Sequence, residues 1–575
     1  MASVSQRFSE IRDPSERTGS MLHSRREFLS HGAGAGLGAA WALGNVTTTR
    51  AEKESVVPRR YGIIYNWDGA PHGYSDYPQT LDQFLQKTFA PLKETQVGAM
   101  FYCVGEHEAN WNSKLIPMAG DDLDRTYSSA RYMRYYENIR AMLQRGENPY
   151  QAMVQRGREL GIDVYASIRM NDNHLHGLQL NDFADARMEG MTQIRREHPE
   201  WCLGAEQAPE WFAASWNMAI PEVREHRFQY IREAMDLADW DGVELDWQRH
   251  GFHLPADDAY RLRYVLTDLQ RAVRQRANDL ARQRGRPFHV AVRVATTLES
   301  CDRIGYDLKT WIKEGLCDVI IAGGGAATDP GIQIEEFQKL IEGTPIQFYT
   351  GFDSGFWGEH HGLGADREFQ RAWVRGTAAG YWRRGADGMY VFNWHANERT
   401  RRDLLTQVGA AKTLERTDKI FAAVHRHLRE PGGEWSGADL NDRIFGETPV
   451  KLYPTLTNEG PGFHVPVHDK VARYATAGLL KGVELRIVLE HMSPADRIQV
   501  NLDGKTLGEP AVRYATREDP DDPSDVAEHA SLVWTLRPGQ ATQGEHLIKI
   551  QLMKRDERVR PPLVVQHVEF HVNYS

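Results

Sequence analysis

The stretch "ADWDGVELDWQRH", residues 238–250, predicts a buried strand that carries two acidic side chains on one of its faces. Successive side chains of a strand point to opposite faces, so Val243 and Leu245 share one face while Glu244 and Asp246 share the other. A buried carboxylate costs several kcal/mol unless it is partnered, and Val or Leu would remove that cost. The pair therefore indicates either a functional site or an ion pair inside the fold.

Seven further runs of the same kind lie before and after this strand. Short apolar runs that end in polar or aromatic residues alternate with amphipathic helical stretches, a pattern typical of repeated βα units. Eight units predict a (β/α)8 barrel, in which Glu244 and Asp246 would face the interior. The eight runs are 61–69, 97–108, 162–174, 241–250, 288–300, 317–325, 345–357 and 386–397.

The segments between the runs include helices with a clear apolar stripe. Residues 221–240 begin with Pro221, which suits a first helical turn. Similar patterns predict helices at 148–160, 258–284 and 366–384. The longest connections follow the second and third strands, at about 109–147 and 175–220. Because such loops lie on the catalytic face of a barrel, we expect them to form a substrate cleft.

After about residue 440 alternating apolar and polar residues replace the helical pattern, which predicts an antiparallel β-sandwich. "NLDGK" at 501–505 has the Asp-Gly pair of a hairpin turn. At 575 residues the chain is long enough for two domains. We therefore divide it into a signal and linker at 1–57, a barrel at 58–435 and a sandwich at 436–575.

The composition excludes some functions and is compatible with others. A net charge of -10 gives no basic footprint for nucleic acid, so we expect no such partner. The four cysteines are far apart, without CxxC or zinc-ligand spacing, so we expect neither a disulfide framework nor a structural zinc site. We also expect no cofactor. The 15 Trp and 22 Tyr residues suit sugar faces as well as cores.

"SRREFLS" at 24–30 and the Gly/Ala-rich run at 31–46 predict a twin-arginine signal. The run is too short and too rich in glycine for a membrane span. We expect cleavage near residues 46–58 and export of the folded chain by the Tat translocase. The predicted location is periplasmic or extracellular, with no membrane span in the mature protein.

Several stretches of the barrel together carry a resemblance to a known family. They are "WNMAIPEVREH" at 216–226 with the strand that follows it, "RMNDNH" at 169–174, "YNWDG" at 65–69 and "GADGMYVFN" at 385–393. Over roughly residues 60–420 the chain resembles the glycoside-hydrolase-like (β/α)8 barrel proteins of exported bacterial sets, of the glycosyl hydrolase-like 10 type. Asn217-Met218 stand where members of that family carry Asn-Pro. The resemblance implies hydrolysis of glycosidic bonds in a poly- or oligosaccharide.

Glycosidic hydrolysis needs one carboxylate as nucleophile or base and a second carboxylic acid to protonate the leaving oxygen. The resemblance assigns the first role to Asp246. Glu299, Asp353 and Asp172 follow other strands and are candidates for the second role, in that order. A carboxyl separation of about 5 Å would indicate retention, and about 6.5–9.5 Å inversion.

Further side chains near the strand ends are candidates for contact with a sugar. Arg169 also points inward, and we expect it to form a buried ion pair with Glu244. Trp357 and Trp394 are additional candidates for stacking on a sugar ring. The predicted substrate-binding residues are Asn66, Trp67, Asp68, Arg169, Asn171, His174, Glu244, Trp247, Arg249, His250 and Asn393.

Two other classes of protein remain possible from the sequence. A carbohydrate-binding barrel without the second carboxylate would use Asp246 only to accept hydroxyl bonds. A metal-dependent hydrolase could use His174, His176, His360 and His361. The His-x-His pair follows the third strand, whereas metal-dependent barrel hydrolases usually carry it on the first, so we expect no metal site.

Overall fold

Eight parallel strands close into a barrel, in which β8 pairs with β1 and each other strand pairs with the next. This confirms the predicted (β/α)8 barrel. The computed structural model describes residues 57–67, 76–105, 108–171, 175, 178–208, 212–323, 331–352, 367–394, 396, 399–424, 447–455, 459–518 and 526–575. The barrel strands are β1 (Ile63–Trp67), β2 (Val97–Gly105), β3 (Asp163–Arg169), β4 (Gly242–Asp246), β5 (His289–Val294), β6 (Val319–Ala322), β7 (Gln347–Phe352) and β8 (Gly388–Phe392).

The helices begin and end where the sequence provides caps. The side chain of Asn148 accepts a hydrogen bond at the start of α3, and Gly161 ends that helix with a φ of 71°. Three predicted helices lie within one or two residues of their observed bounds, and the fourth ends at Asp236. The helices are α1 (Leu81–Phe89), α2 (Ala130–Gln144), α3 (Pro149–Leu160), α4 (Gln193–Glu197), α5 (Pro221–Asp236), α6 (Ala259–Arg284), α7 (Leu298–Arg303), α8 (Leu308–Lys313), α9 (Ile334–Ile341), α10 (Arg367–Arg383), α11 (Arg399–Leu405) and α12 (Val471–Thr476).

The two faces of β4 have the predicted orientation. Val243 and Leu245 belong to the apolar cluster between the barrel wall and the helices. The carboxylate of Glu244 accepts a hydrogen bond from Asn66 on β1, which is three strands away around the barrel. That bond must cross the interior, so Glu244 points inward, and Asp246 points the same way because it lies two residues further along the strand.

The C-terminal part contains two antiparallel sheets. One has the order β10-β18-β12-β16-β15, with β9 also pairing with β18, and the other has the order β11-β17-β13-β14. Their buried residues form one apolar cluster. Asp503 and Gly504 turn between β13 and β14 with φ values of 49° and 81°, which confirms the predicted hairpin. The strands are β9 (Lys419–Ala422), β10 (Val450–Leu452), β11 (Gly462–Val467), β12 (Leu480–Glu490), β13 (Arg497–Leu502), β14 (Lys505–Thr506), β15 (Ala511–Glu518), β16 (Val526–Leu536), β17 (Gly544–Lys554) and β18 (Leu563–Tyr574).

Strand β9 lies within the range that was assigned to the barrel, yet Phe421 is paired with Phe570 of β18. One C-terminal sheet therefore includes a strand that precedes the predicted boundary at residue 436, and that boundary stays a prediction. A run of four residues is too short for its alternation to be recognised in the sequence.

The N-terminal signal prediction lies outside the described residues, which begin at 57. Within the described part of the chain, no helix combines the length and the apolar character that a membrane crossing requires. Residues 55–575 belong to one compact unit.

Gly376 on α10 allows this helix to lie directly against β9. A Cβ atom at this position would lie 1.9 Å from the carbonyl oxygen of Ile420. We predict that Gly376→Ala lowers the free energy of unfolding by about 1–3 kcal/mol, because backbone must move to admit the methyl group. Urea denaturation of the full chain measures this change.

Gly482→Ala is the matched control, since a Cβ atom at Gly482 meets nothing within 4 Å. We expect that substitution to be neutral or slightly stabilising. Equal losses of stability in the two variants would show that the contact between α10 and β9 is not the cause.

Candidate active site

Asp246 lies at the carboxyl end of β4 and is paired with Arg293 on β5. The guanidinium Nη1 is 3.1 Å from Oδ1 and 3.0 Å from Oδ2, and both side chains are at most 2% exposed. The backbone N–H groups of Gln248 and Arg249 also donate to Oδ1, at 3.1 and 3.0 Å. The chain after β4 thus turns back onto Asp246, and the negative charge has a buried positive partner.

Glu244 lies two residues deeper in the barrel and has a different environment. Its Oε2 accepts hydrogen bonds from Asn66 Nδ2, at 2.8 Å, and from the Ser167 hydroxyl. Burial, followed by the negative charge of Asp246, raises the pKa of Glu244 to about 7. Near neutral pH, Glu244 therefore holds a proton for part of the time, whereas Asp246 is balanced by a cation. Two carboxyl groups with such different surroundings suit different roles in proton transfer.

Some buried polar atoms near these carboxyl groups have no hydrogen-bond partner among the described residues. They are Asn66 Oδ1 and Gln248 Oε1, whereas the Tyr390 hydroxyl interacts with Glu244 and lowers its pKa. Most buried polar atoms in proteins are hydrogen-bonded. Asn66 Oδ1 and Gln248 Oε1 could therefore bond with hydroxyl groups of a small polar ligand.

The predicted ion pair between Arg169 and Glu244 is wrong. In the described part of the chain, the arginine that pairs with an acid of β4 is Arg293, and it binds Asp246. Arg169 on β3 and Arg293 on β5 are both in register with Asp246, one on each side. Strand spacing alone could not show which arginine pairs with which acid. Arg293 was missed, although its alternation with Ala291 on β5 indicates an inward position.

Trp247 and Trp394 cannot stack on a sugar, so that prediction is wrong for both. Trp247 follows Asp246, so its side chain points away from the barrel interior. On that outer side it is fully buried. Its ring centre lies 5.0 Å from that of His253, 6.0 Å from Tyr306 and 5.7 Å from Trp311. Trp394 is also fully buried, and its indole N–H donates to a backbone carbonyl at 2.9 Å.

Asn171 connects backbone segments rather than presenting free groups to a ligand. Its Nδ2 donates to the carbonyl oxygens of Trp216 and Phe252, both at 3.0 Å, and its Oδ1 accepts the N–H of Trp216 at 2.9 Å. With 1% exposure, Asn171 holds the segments before α5 and after β4 together. The structure thus gives this residue a structural role instead of the predicted contact with a sugar.

Other predicted contact residues lie near the carboxyl ends of the strands. Trp67 stacks on Tyr65 with 6.2 Å between ring centres, on the face of β1 opposite to Asn66. Arg249 is half-buried, and its guanidinium lies 5.8 Å from the centre of an aromatic ring of β8. His250 is buried, and Asn393 is half-buried with a φ of 49° just after β8. Non-glycine residues in this conformation are uncommon and concentrate at functional sites.

Glu299 lies on the first turn of α7 and is exposed. It lines a cavity whose other walls are α10 and the C-terminal strands. No described contact joins Glu299 to Asp246, so its role as the second carboxyl group stays a prediction. The predicted residues outside the described part of the chain are Asp68, Asp172, His174, His176, Asp353, Trp357, His360 and His361.

The described residues contain no group of three or more His, Cys, Asp or Glu side chains arranged to hold a metal ion. All four histidines of the metal-dependent alternative lie outside the described residues. That alternative therefore stays untested.

The chain matches no known family profile and no curated protein. It is similar to solved structures of glycoside hydrolases. Chitinase ChiW from Paenibacillus sp. str. FPU-7 is 11% identical with a TM-score of 0.34, over 84% of this chain and 52% of that chain. GH36 α-galactosidase AgaA from Geobacillus stearothermophilus is 11% identical with a TM-score of 0.33, over 86% and 55%.

A glycoside hydrolase family 18 N-acetylglucosaminidase from Paenibacillus barengoltzii is 10% identical with a TM-score of 0.33, over 61% of this chain and 99% of that chain. The chain spans about half the length of the first solved structures that it matches. Similarity at this level carries no argument about activity or substrate.

Removal of Arg293 should leave the Asp246 carboxylate buried without its cation. We predict that Arg293→Met lowers the free energy of unfolding by about 3–5 kcal/mol. Asp246→Leu in the same chain should restore much of this loss, because the pair is then replaced by apolar groups. A double-mutant cycle in urea measures the coupling, and strictly additive effects would contradict the ion pair.

Glu244 should make stability depend on pH. Its pKa rises from 4.5 in the unfolded chain to about 7 in the folded protein, so the folded protein binds this proton more tightly. The contribution to stability is complete below pH 4.5 and is lost as pH rises toward about 7, with a slope of at most about 1.4 kcal/mol per pH unit.

Glu244→Gln should remove the pH-dependent contribution of Glu244 to stability. All other titratable groups are the same in the two proteins, so their effects cancel in the comparison. Urea denaturation at several pH values between 4.5 and 8 gives the difference in slope. Identical slopes for the wild type and the variant would contradict a raised pKa for Glu244.

Proposed function

We propose that this protein is a glycoside hydrolase that cleaves a poly- or oligosaccharide through chemistry centred on Asp246. One observation carries the proposal: two carboxyl groups, Glu244 and Asp246, are buried at the carboxyl end of β4 in different surroundings. Apolar residues would be less costly at both positions. Enzymes on this fold place their reactive groups at this end of the barrel.

Asp246 is the proposed nucleophile or base. Arg293 and the two backbone N–H groups fix its orientation. It would attack the anomeric carbon directly or take a proton from an attacking water, while a second carboxylic acid protonates the leaving oxygen. Glu299, Asp353 and Asp172 are the proposed candidates for that acid, in that order.

Glu244 lies beneath Asp246 and is coupled to its charge. Because the negative charge of Asp246 contributes to the raised pKa of Glu244, Glu244 holds its proton most tightly while Asp246 is anionic. Arg249, His250, Asn393 and Asn66 would contact hydroxyl groups of the substrate from the strand ends.

A non-catalytic carbohydrate-binding barrel is the second candidate. It is favoured by the observation that Arg293 and two backbone N–H groups already donate to the oxygens of Asp246. In that case Asp246 would hold the segment after β4 in place, and the strand-end residues would bind a sugar without cleaving it.

We also propose that the two C-terminal sheets form a β-sandwich that supports the barrel. Their shared apolar cluster and the packing of β9 against α10 support this arrangement. Export by the Tat pathway to the periplasm or the exterior is proposed from the residues at 24–46 alone.

Asp246→Asn should lower reducing-sugar release from the glycan that the wild type cleaves by about 100-fold or more, because it removes a group that acts in the reaction. Asp257→Asn is the matched control, since Asp257 is an exposed carboxylate in the segment after the same strand. That control should keep wild-type activity. A panel of neutral and charged polysaccharides, assayed with all three proteins, gives the comparison.

Undiminished hydrolysis by Asp246→Asn would move the reaction centre elsewhere. If the wild type cleaves nothing while the wild type and Asp246→Asn bind the same glycan, the protein is a non-catalytic carbohydrate-binding barrel instead.

A further inference from the structure

A cavity of about 630 Å³ lies outside the barrel, between its outer helices and the C-terminal strands. Its walls come from the start of α7, from α10 and from β9, β11 and β17. Neither Glu244 nor Asp246 lines it. Its volume lies within the range of roughly 300–1,000 Å³ that is typical of sites for small ligands.

One wall of the cavity is apolar and depends on two glycines of α10. A Cβ atom on Gly376 would lie 1.9 Å from the Ile420 carbonyl oxygen, and one on Gly380 would lie 2.8 Å from the ring of His468. The two glycines therefore allow the strands to approach the helix. Ile420, Phe421 and the residues after them line the cavity on this side.

The opposite side is rich in groups that accept hydrogen bonds. Ser300 brings a hydroxyl group from α7. The Thr297 hydroxyl caps this helix, since it accepts the N–H of Ser300 at 3.0 Å and donates to the Ser300 hydroxyl at 2.9 Å. Glu299 and Glu545 bring carboxylates, and both residues are exposed. These groups can accept several O–H donors from one ligand.

The cations that line the cavity are already engaged with acids. Arg384 donates to both oxygens of Glu335 at 2.7 Å, and the ring of His464 is 2.6 Å from Glu447. Burial lowers the pKa of His468 to about 4, so this imidazole is neutral near pH 7. The cavity therefore disfavours an anion and suits a neutral ligand that is rich in hydroxyl groups.

We propose that this cavity is a second carbohydrate site, which binds a short neutral oligosaccharide. The C–H face of a sugar would lie against the apolar wall at β9, and its hydroxyl groups would donate to the acceptors on α7 and to Glu545. A metal ion is a poorer occupant, since the described residues form no metal-binding group. This site lies outside the barrel, requires the C-terminal sheets and goes beyond the function proposed above. Within this proposal Glu299 binds the second sugar, which leaves Asp353 and Asp172 as candidates for the acid that acts with Asp246.

The test measures binding by isothermal titration calorimetry and uses the full chain with Asp246→Asn, which prevents turnover under the function proposed above. The probes are cellotriose, maltotriose, xylotriose and triacetylchitotriose. Ser300→Trp fills the cavity from its half-buried polar side, and Glu545→Gln removes one acceptor charge. Glu509→Gln is the matched control, because Glu509 is exposed and does not line the cavity.

We expect at least one trisaccharide to bind, Ser300→Trp to remove one binding site per chain, and Glu545→Gln to weaken that site by about 10-fold. Glu509→Gln should bind as the parent does. Thermal unfolding checks that each variant is folded. If Ser300→Trp does not fold, the affinity of Glu545→Gln for the trisaccharide tests the proposal instead.

The proposal is overturned if no probe binds, or if the folded variants bind with unchanged number and affinity. Hydrolysis by the protein with Asp246 intact is measured separately, with and without Ser300→Trp. Loss of binding in Ser300→Trp with unchanged hydrolysis supports the second site. Binding that depends on Ser300 in a protein without any hydrolysis supports this site and contradicts only the function proposed for the barrel.

Discussion

The ion pair between Arg293 and Asp246 is the interaction on which the barrel interior depends. Both side chains are buried, so the charge of either one without the other would lower the stability of the fold strongly. The pair compensates one of the two acids of β4 and leaves Glu244 to respond to the remaining negative charge by a raised pKa. Neighbouring strands thus give two similar carboxyl groups different properties, which is the basis of the proposed chemistry.

Much of the fold could be predicted because its signals are local and repeated. Eight strand runs gave the barrel, and alternation along β4 gave the inward direction of Glu244 and Asp246. Helix caps at Asn148 and Gly161 fixed the bounds of α3. The short strands β9 and β10, with four and three residues, were missed. Strand β6 also has four residues but was found, because it is part of the repeated βα pattern.

The site was less predictable because it depends on contacts between strands. Sequence alternation placed Arg169 inside the barrel, but the register brings Arg293 to the other side of the same acid. Trp247 was expected to contact a sugar, although its position next to Asp246 turns it outward into the core. Asn171 looks like a binding residue in sequence, whereas backbone groups from two distant segments use its amide. Such partners are defined only once the chain has folded.

The account depends most directly on the protonation of Glu244 inside the folded barrel. The most direct measurement is a ¹³C NMR titration of protein labelled at the glutamate side-chain carboxyl carbon, with Glu244→Gln used to assign the signal. The account predicts a carboxyl resonance that titrates near pH 7 and disappears in the variant. A Glu244 resonance that titrates near the ordinary pKa of 4.5 would contradict the proposed division of roles between the two acids.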